Sequence, residues 1–115
     1  MYSYKLKIKL INKLPFFGPG SVDLLEGIEK TGSLKVACEN MNLSYTKGRK
    51  MIRDIETETG MPVIISKHGG VGGGKATLTE YGVELLNRYK EFLTEADKCV
   101  NEVFLRYYGV DNDQN

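Results

Sequence analysis

Cysteine and histidine are scarce in this 115-residue chain, and each scarcity excludes something. Cys38 and Cys99 are too few for a disulfide scaffold or a zinc site built of thiolates. Both are expected to be reduced, half-buried apolar residues of an intracellular protein. The single histidine, His68, has no cysteine or carboxylate beside it in sequence, so it anchors no catalytic or metal-ligating constellation. No apolar run approaches eighteen residues, which excludes a membrane span. The N-terminal lysines alternate with apolar positions instead of preceding an apolar run, which excludes a secretion signal. What remains is enough for a core, with 41% hydrophobic against 27% charged residues. One compact domain with a single projecting element fits that length, and most multidomain enzymes do not.

An excess of one charge is missing as well: 16 basic residues face 15 acidic ones, a formal +1. The charges are nevertheless segregated. Lys5, Lys7, Lys9 and Lys13 occupy residues 1–13 with no acid among them. Residues 44–75 hold Lys47, Arg49, Lys50, Arg53, Lys67 and Lys75 against Asp54, Glu56 and Glu58. The segments on either side of that block are net acidic. Segregation of this kind gives a nearly neutral molecule one positive face, the footprint that a polyanion needs.

The pattern of elements is α+β, mostly helical. Lys5 to Leu10 alternates with period two and predicts an N-terminal strand, stopped by Pro15 and Gly18-Pro19-Gly20. A helix over roughly 21–30, capped by Gly20 or Ser21, presents Val22, Leu25 and Ile28. Ser33 caps a shorter helix with Leu34, Ala37, Cys38 and Met41 as its apolar face. Asn40 to Ser44 is rich in turn formers, and Ser44 opens a third helix reaching about Thr59. Gly48, Ile52 and Ile55 face inward there, and the glycine implies close approach of another helix. Val63-Ile64-Ile65 and Ala76-Thr77-Leu78 form a hairpin whose tip, Ser66 to Lys75, is glycine-rich and cationic. Thr79 caps a final helix from Glu80 to about Tyr108.

That last helix carries a seam of Leu86, Tyr89, Leu93, Ala96, Val100, Val103 and Tyr107, spaced alternately three and four apart. A domain this small cannot easily cover about 44 Å of helix. Two copies packing their long helices together is the expected solution; the alternative is a helix broken near Thr94 and folded back. The domain plan is a winged helix-turn-helix over residues 1–78, a dimerisation helix over 79–108 and a disordered tail over 109–115.

Three short helices followed by a β-hairpin is the order of a winged helix-turn-helix, whose third helix enters the DNA major groove while the wing lies along the backbone. On that plan Tyr45, Thr46 and Arg49 reach bases, Arg49 being suited to bidentate recognition of guanine. Ser44, Lys47, Lys50, Arg53, Lys67, His68 and Lys75 contact the backbone, positioning without reading sequence. Gly69 to Lys75 also mimics a phosphate-binding loop. It lacks the serine or threonine that would hold magnesium, and the chain has little room for a parallel sheet, so nucleotide hydrolysis is not expected. Glu56 and Glu58 stand two apart on a helix and share no face for acid–base work.

Gly32-Ser33, Ala37, Leu43-Ser44, Ile52-Arg53, Ile55-Glu56, Gly60-Met61-Pro62 and Leu78-Thr79-Glu80-Tyr81-Gly82 resemble the DNA-binding domain of LysR-type transcription regulators. Gly18-Pro19-Gly20, Ser44-Tyr45, the glycine-rich wing and the lysine-alternating strand are more similar to the molybdate-responsive ModE-type branch. The resemblance covers about residues 4–108. It implies a cytoplasmic, homodimeric, sequence-specific regulator of transcription that binds double-stranded DNA, with no enzyme activity, cofactor, metal or membrane partner. Such regulators join this domain to a C-terminal sensor; neither a molybdate-binding domain nor a co-inducer domain fits within 115 residues, so action without a fused sensor is expected. The other reading is a winged-helix protein-interaction module with little DNA affinity.

Overall fold

Side-chain caps fix where the helices begin in the computed structural model, which describes residues 2–67 and 74–109. Ser33 Oγ accepts from the Val36 amide at 3.1 Å, Ser44 Oγ from Lys47 at 3.1 Å and Thr79 Oγ1 from Gly82 at 2.9 Å. Each satisfies an amide that the first turn leaves without an intrahelical partner. They open α2 (Leu34–Asn40), α3 (Tyr45–Thr59) and α4 (Glu80–Tyr108). The first helix, α1 (Pro19–Thr31), starts earlier than expected. Gly18 is its cap, Pro19 supplies a preset φ in the first turn, and Ser21 Oγ accepts from the Gly18 amide at 3.0 Å. Leu24 is buried there beside Leu25 and Ile28.

The described elements give a mixed α+β, mostly helical winged-helix fold. Before α1 stand β1 (Leu10–Ile11) and β2 (Pro15–Phe17), paired antiparallel with Leu10 opposite Phe17. After α3 come β3 (Ile64–Lys67) and β4 (Lys75–Leu78), also antiparallel, with Ile64 opposite Leu78 and Lys67 opposite Lys75. The Ala76 amide donates to the Gly32 carbonyl at 2.9 Å, fastening this wing to the α1–α2 loop. Phe17, Leu24, Leu25, Ile28, Ile55 and Val63 form the centre of the core.

Two close approaches set the packing. A Cβ on Gly48 would lie 2.2 Å from Cys38 Sγ, so α3 touches the side chain of α2 where approach of a helix was expected. Cys38 is buried, more deeply than its sequence suggested, and burial pushes its thiol pKa up, with Glu39 adding to the shift; Cys99 is exposed. A Cβ on Gly82 would lie 2.3 Å from the Val63 carbonyl oxygen. That carbonyl accepts from the Thr79 amide at 3.0 Å, and Thr79 Oγ1 donates to the Pro62 carbonyl at 2.8 Å.

The N-terminal segment departs from the strand expected over residues 5–10. Only Leu10 and Ile11 pair in a sheet, and they pair with Pro15–Phe17, a stretch expected to be a stop. Proline is tolerated because it opens the strand at a sheet edge. Upstream, the chain runs extended and antiparallel along α4. The Tyr89 hydroxyl donates to the Ile8 carbonyl at 2.7 Å, the Tyr4 hydroxyl donates to Asp97 Oδ1 at 2.8 Å, and the Tyr4 and Tyr2 rings sit 4.9 and 5.6 Å from those of Phe104 and Tyr108. Partial burial and the Asp97 carboxylate push the Tyr4 hydroxyl pKa up. Leu6, Ile8 and Leu10 are half-buried while Lys5, Lys7 and Lys9 are exposed, so the alternation reports a chain lying on a helix.

The last helix is continuous over its 29 residues, without the break near Thr94 that was the alternative. Its Lys90 ammonium pairs with Glu26 of α1, a hydrogen bond that raises the lysine pKa. Among the described residues no helix is long and apolar enough to cross a membrane.

Gly48→Ala is expected to lower stability by about 1–3 kcal/mol through overpacking, in spite of better helix propensity. Adding Cys38→Ala removes the colliding sulfur and should recover part of that loss in denaturant titrations; an unaltered or more stable Gly48→Ala protein would contradict the packing. Thr79→Val, which loses the cap and the bond to Pro62, should cost about 1–2 kcal/mol while Thr79→Ser stays near the parent in the same titration.

Candidate nucleic-acid interface

Helix α3 has two faces because its apolar residues recur at the helical period. With Gly48, Ile52 and Ile55 buried, Thr46, Arg49, Lys50 and Arg53 are left outward at about 100° per residue. Tyr45 is 48% exposed in the first turn, and the Arg49 guanidinium carbon lies 5.9 Å from its ring centroid. That cation–π contact holds Arg49 over the aromatic face while leaving it accessible. Lys50 Nζ lies 2.8 Å from Asp54 Oδ2, one turn along the same helix. Both partners are well exposed, so the pair adds little stability and is easily exchanged for another anion. Ser44, Lys47 and Arg53 are exposed too, and neither Lys47 nor Arg53 enters an ion pair among the described residues.

Arg49 and Arg53 line an open groove of about 850 Å³ between α2, α3 and the wing. Lys67 and Lys75, paired across the hairpin, form its far wall. The groove also holds Lys35 and Val36 of α2, which sequence reasoning missed because it weighed only the apolar face of that helix. The Ser33 cap was the available signal, since it puts Lys35 in the first turn beside the inward Leu34. Five cations, Lys35, Arg49, Arg53, Lys67 and Lys75, thus face two carboxylates, Glu39 and Glu56. Glu56 is engaged, its Oε2 accepting from the Val63 amide at 2.8 Å. The groove is therefore cationic and open, fit to receive a polyanion. His68 and residues 69–73 of the expected wing tip lie outside the described residues.

Glu56 and Glu58 hold one hairpin each. Glu58 Oε1 accepts from the amides of Lys13 at 2.8 Å and Leu14 at 3.2 Å, at the β1–β2 tip, while Glu56 holds the start of the wing. The two carboxylates are thus turned to separate partners, in keeping with their spacing. Among the described residues no group of three or more histidine, cysteine or acidic side chains is placed to hold a metal.

The expected seam of α4 divides in two. Leu86 and Tyr89 are each 2% exposed and belong to the core of the protomer, Tyr89 against Phe17 with ring centroids 5.0 Å apart, so they are not available to a second copy. Packing of the first half of the helix into the protomer core accounts for the correction. Leu93 and Ala96 are half-buried, and Val100, Val103 and Tyr107 are exposed. The arm covers the neighbouring Asp97–Phe104–Tyr108 side and leaves this stripe open.

The chain matches no protein-family model. It is similar to the transcriptional regulator ModE of Yersinia pestis, 33% identical over 94 residues, which are 82% of this chain and 35% of that protein. The DNA-binding transcriptional dual regulator ModE of Escherichia coli strain K12 is 32% identical over 84 residues, 73% of this chain and 32% of its own. A molybdenum-pterin-binding protein, MopB of Rhodobacter capsulatus, is 33% identical over 72 residues, 63% of this chain and 27% of its own. The chain spans about a third of the length of these relatives.

Proposed function

Because the chain belongs to the ModE-like family of winged-helix DNA-binding regulators and is not an enzyme, we propose that it is a sequence-specific, double-stranded DNA-binding regulator of transcription. It works in the cytoplasm as a homodimer. The observation that carries this reading is the union of the exposed α3 face and both wing strands around one cationic groove. On this reading Tyr45, Thr46 and Arg49 contact bases, and Ser44, Lys47, Lys50, Arg53, Lys67, His68 and Lys75 contact the backbone; of these Tyr45, Arg49, Arg53, Lys67 and Lys75 line the groove. Arg49 exchanges the Tyr45 ring for the acceptor edge of guanine, and Lys50 exchanges Asp54 for a phosphate. The likeness to LysR-type domains reflects the shared winged-helix plan.

The homodimer reading rests on the distal half of α4. Leu93, Ala96, Val100, Val103 and Tyr107 make a stripe with coiled-coil spacing that none of the described residues of the same chain buries fully. Pairing two such stripes sets two α3 helices about one turn of DNA, roughly 34–36 Å, or a multiple of it apart, and so calls for an inverted repeat.

Selection of bound sequences from random duplex DNA, beside a mass measurement of the free protein, tests both parts. An inverted repeat and a mass twice that of the chain are expected; absence of any sequence preference would overturn the reading. Arg49→Ala should lose about 1–3 kcal/mol of discrimination at one base pair. Arg53→Ala should weaken every sequence alike and lower the salt slope by about one. Val100→Glu, which opposes like charges across the stripe, should shift the mass toward that of a single chain while leaving the circular dichroism of the fold intact.

A further inference from the structure

The wing is one of two hairpins that α3 carries. At about 100° per residue Glu56 and Glu58 point about 200° apart, so the wing and the β1–β2 hairpin stand on opposite flanks of the helix. The outward residues Arg49, Lys50 and Arg53 lie between them. The second hairpin is fixed at three points: Glu58 Oε1 accepts from the Lys13 and Leu14 amides, and Asn12 Nδ2 donates to the Glu58 carbonyl at 3.0 Å. These bonds use the backbone of Lys13 and leave its ammonium uncommitted. The side chain is exposed and joins no ion pair among the described residues.

The acids on that flank are already engaged. In the free protein Asp54 is paired with Lys50, and Glu58 receives the hairpin amides, so Lys47 near the start of α3 and Lys13 beside its end join no ion pair among the described residues. Resting on the reading of α3 as the DNA-facing helix, we propose that the 12–14 tip is a second backbone clamp. Its Lys13 ammonium neutralises a duplex phosphate on the side of α3 opposite the wing. The recognition helix is then gripped from both flanks, and its register in the groove is set by two hairpins.

The test is the salt dependence of binding to a long random-sequence DNA duplex, followed by fluorescence anisotropy, for the full chain, Lys13→Ala and Lys5→Ala. Lys5 adjoins Tyr4, whose hydroxyl reaches Asp97 far along α4, so its loss removes the same charge remote from α3. Lys13→Ala should lower the slope of log K against log salt by about 0.9 for each bound protomer, with several-fold weaker binding at low salt. Its thermal unfolding should match the parent, because the anchor is made by amides. Lys5→Ala should leave the slope unchanged. A parental slope for Lys13→Ala, or an equal drop for Lys5→Ala, overturns the clamp alone. A parent chain that binds no duplex at any salt overturns the proposed function and the clamp with it.

Discussion

The backbone of Val63 is where three parts of the molecule are tied together. Its amide goes to Glu56 of α3, its carbonyl accepts from Thr79, and the same carbonyl is met by Gly82 so closely that any side chain would collide with it. The wing leaves α3 and α4 leaves the wing through this one residue, which is itself fully buried. A collision with backbone cannot be relieved by a rotamer change, so the position of α4 relative to the wing is set by main-chain contact and not by adaptable packing. The motifs Gly60-Met61-Pro62 and Leu78-Thr79-Glu80-Tyr81-Gly82, separated by residues 63–77, are two sides of that junction.

Much of the architecture was legible because local chemistry and burial agree. Ser33, Ser44 and Thr79 cap the helices that they were expected to cap, and Gly48, Ile52 and Ile55 face inward as their spacing demands. The outward face of α3 follows from the same period. The N-terminal segment was not legible in this way. Alternation along Lys5 to Leu10 is produced equally by a strand in a sheet and by an extended chain lying on a helix, and only the tertiary partner distinguishes them. Pro15 signals a stop by itself, yet the chain turns back at Asn12 to Leu14 because a carboxylate forty-odd residues away receives its amides.

The seam of α4 shows the same limit from another side. Spacing by three and four identifies an apolar stripe but not which half meets the protomer itself. Leu86 and Tyr89 lie in the core, Tyr89 against Phe17, whereas Val100, Val103 and Tyr107 are exposed. The division falls where α4 outruns the three-helix body, giving a molecule whose longest dimension is 66 Å against 28 and 21 Å across. The same geometry separates the two apolar duties of one helix, cohesion near its start and exposure near its finish.

Tyr2 meets Tyr108 edge-on, so the N-terminal segment reaches the far pole of that rod beside the last turn of α4, a helix length away from the groove. A fluorophore placed at Tyr2 or Tyr108 would therefore report from a point clear of the α3 surface.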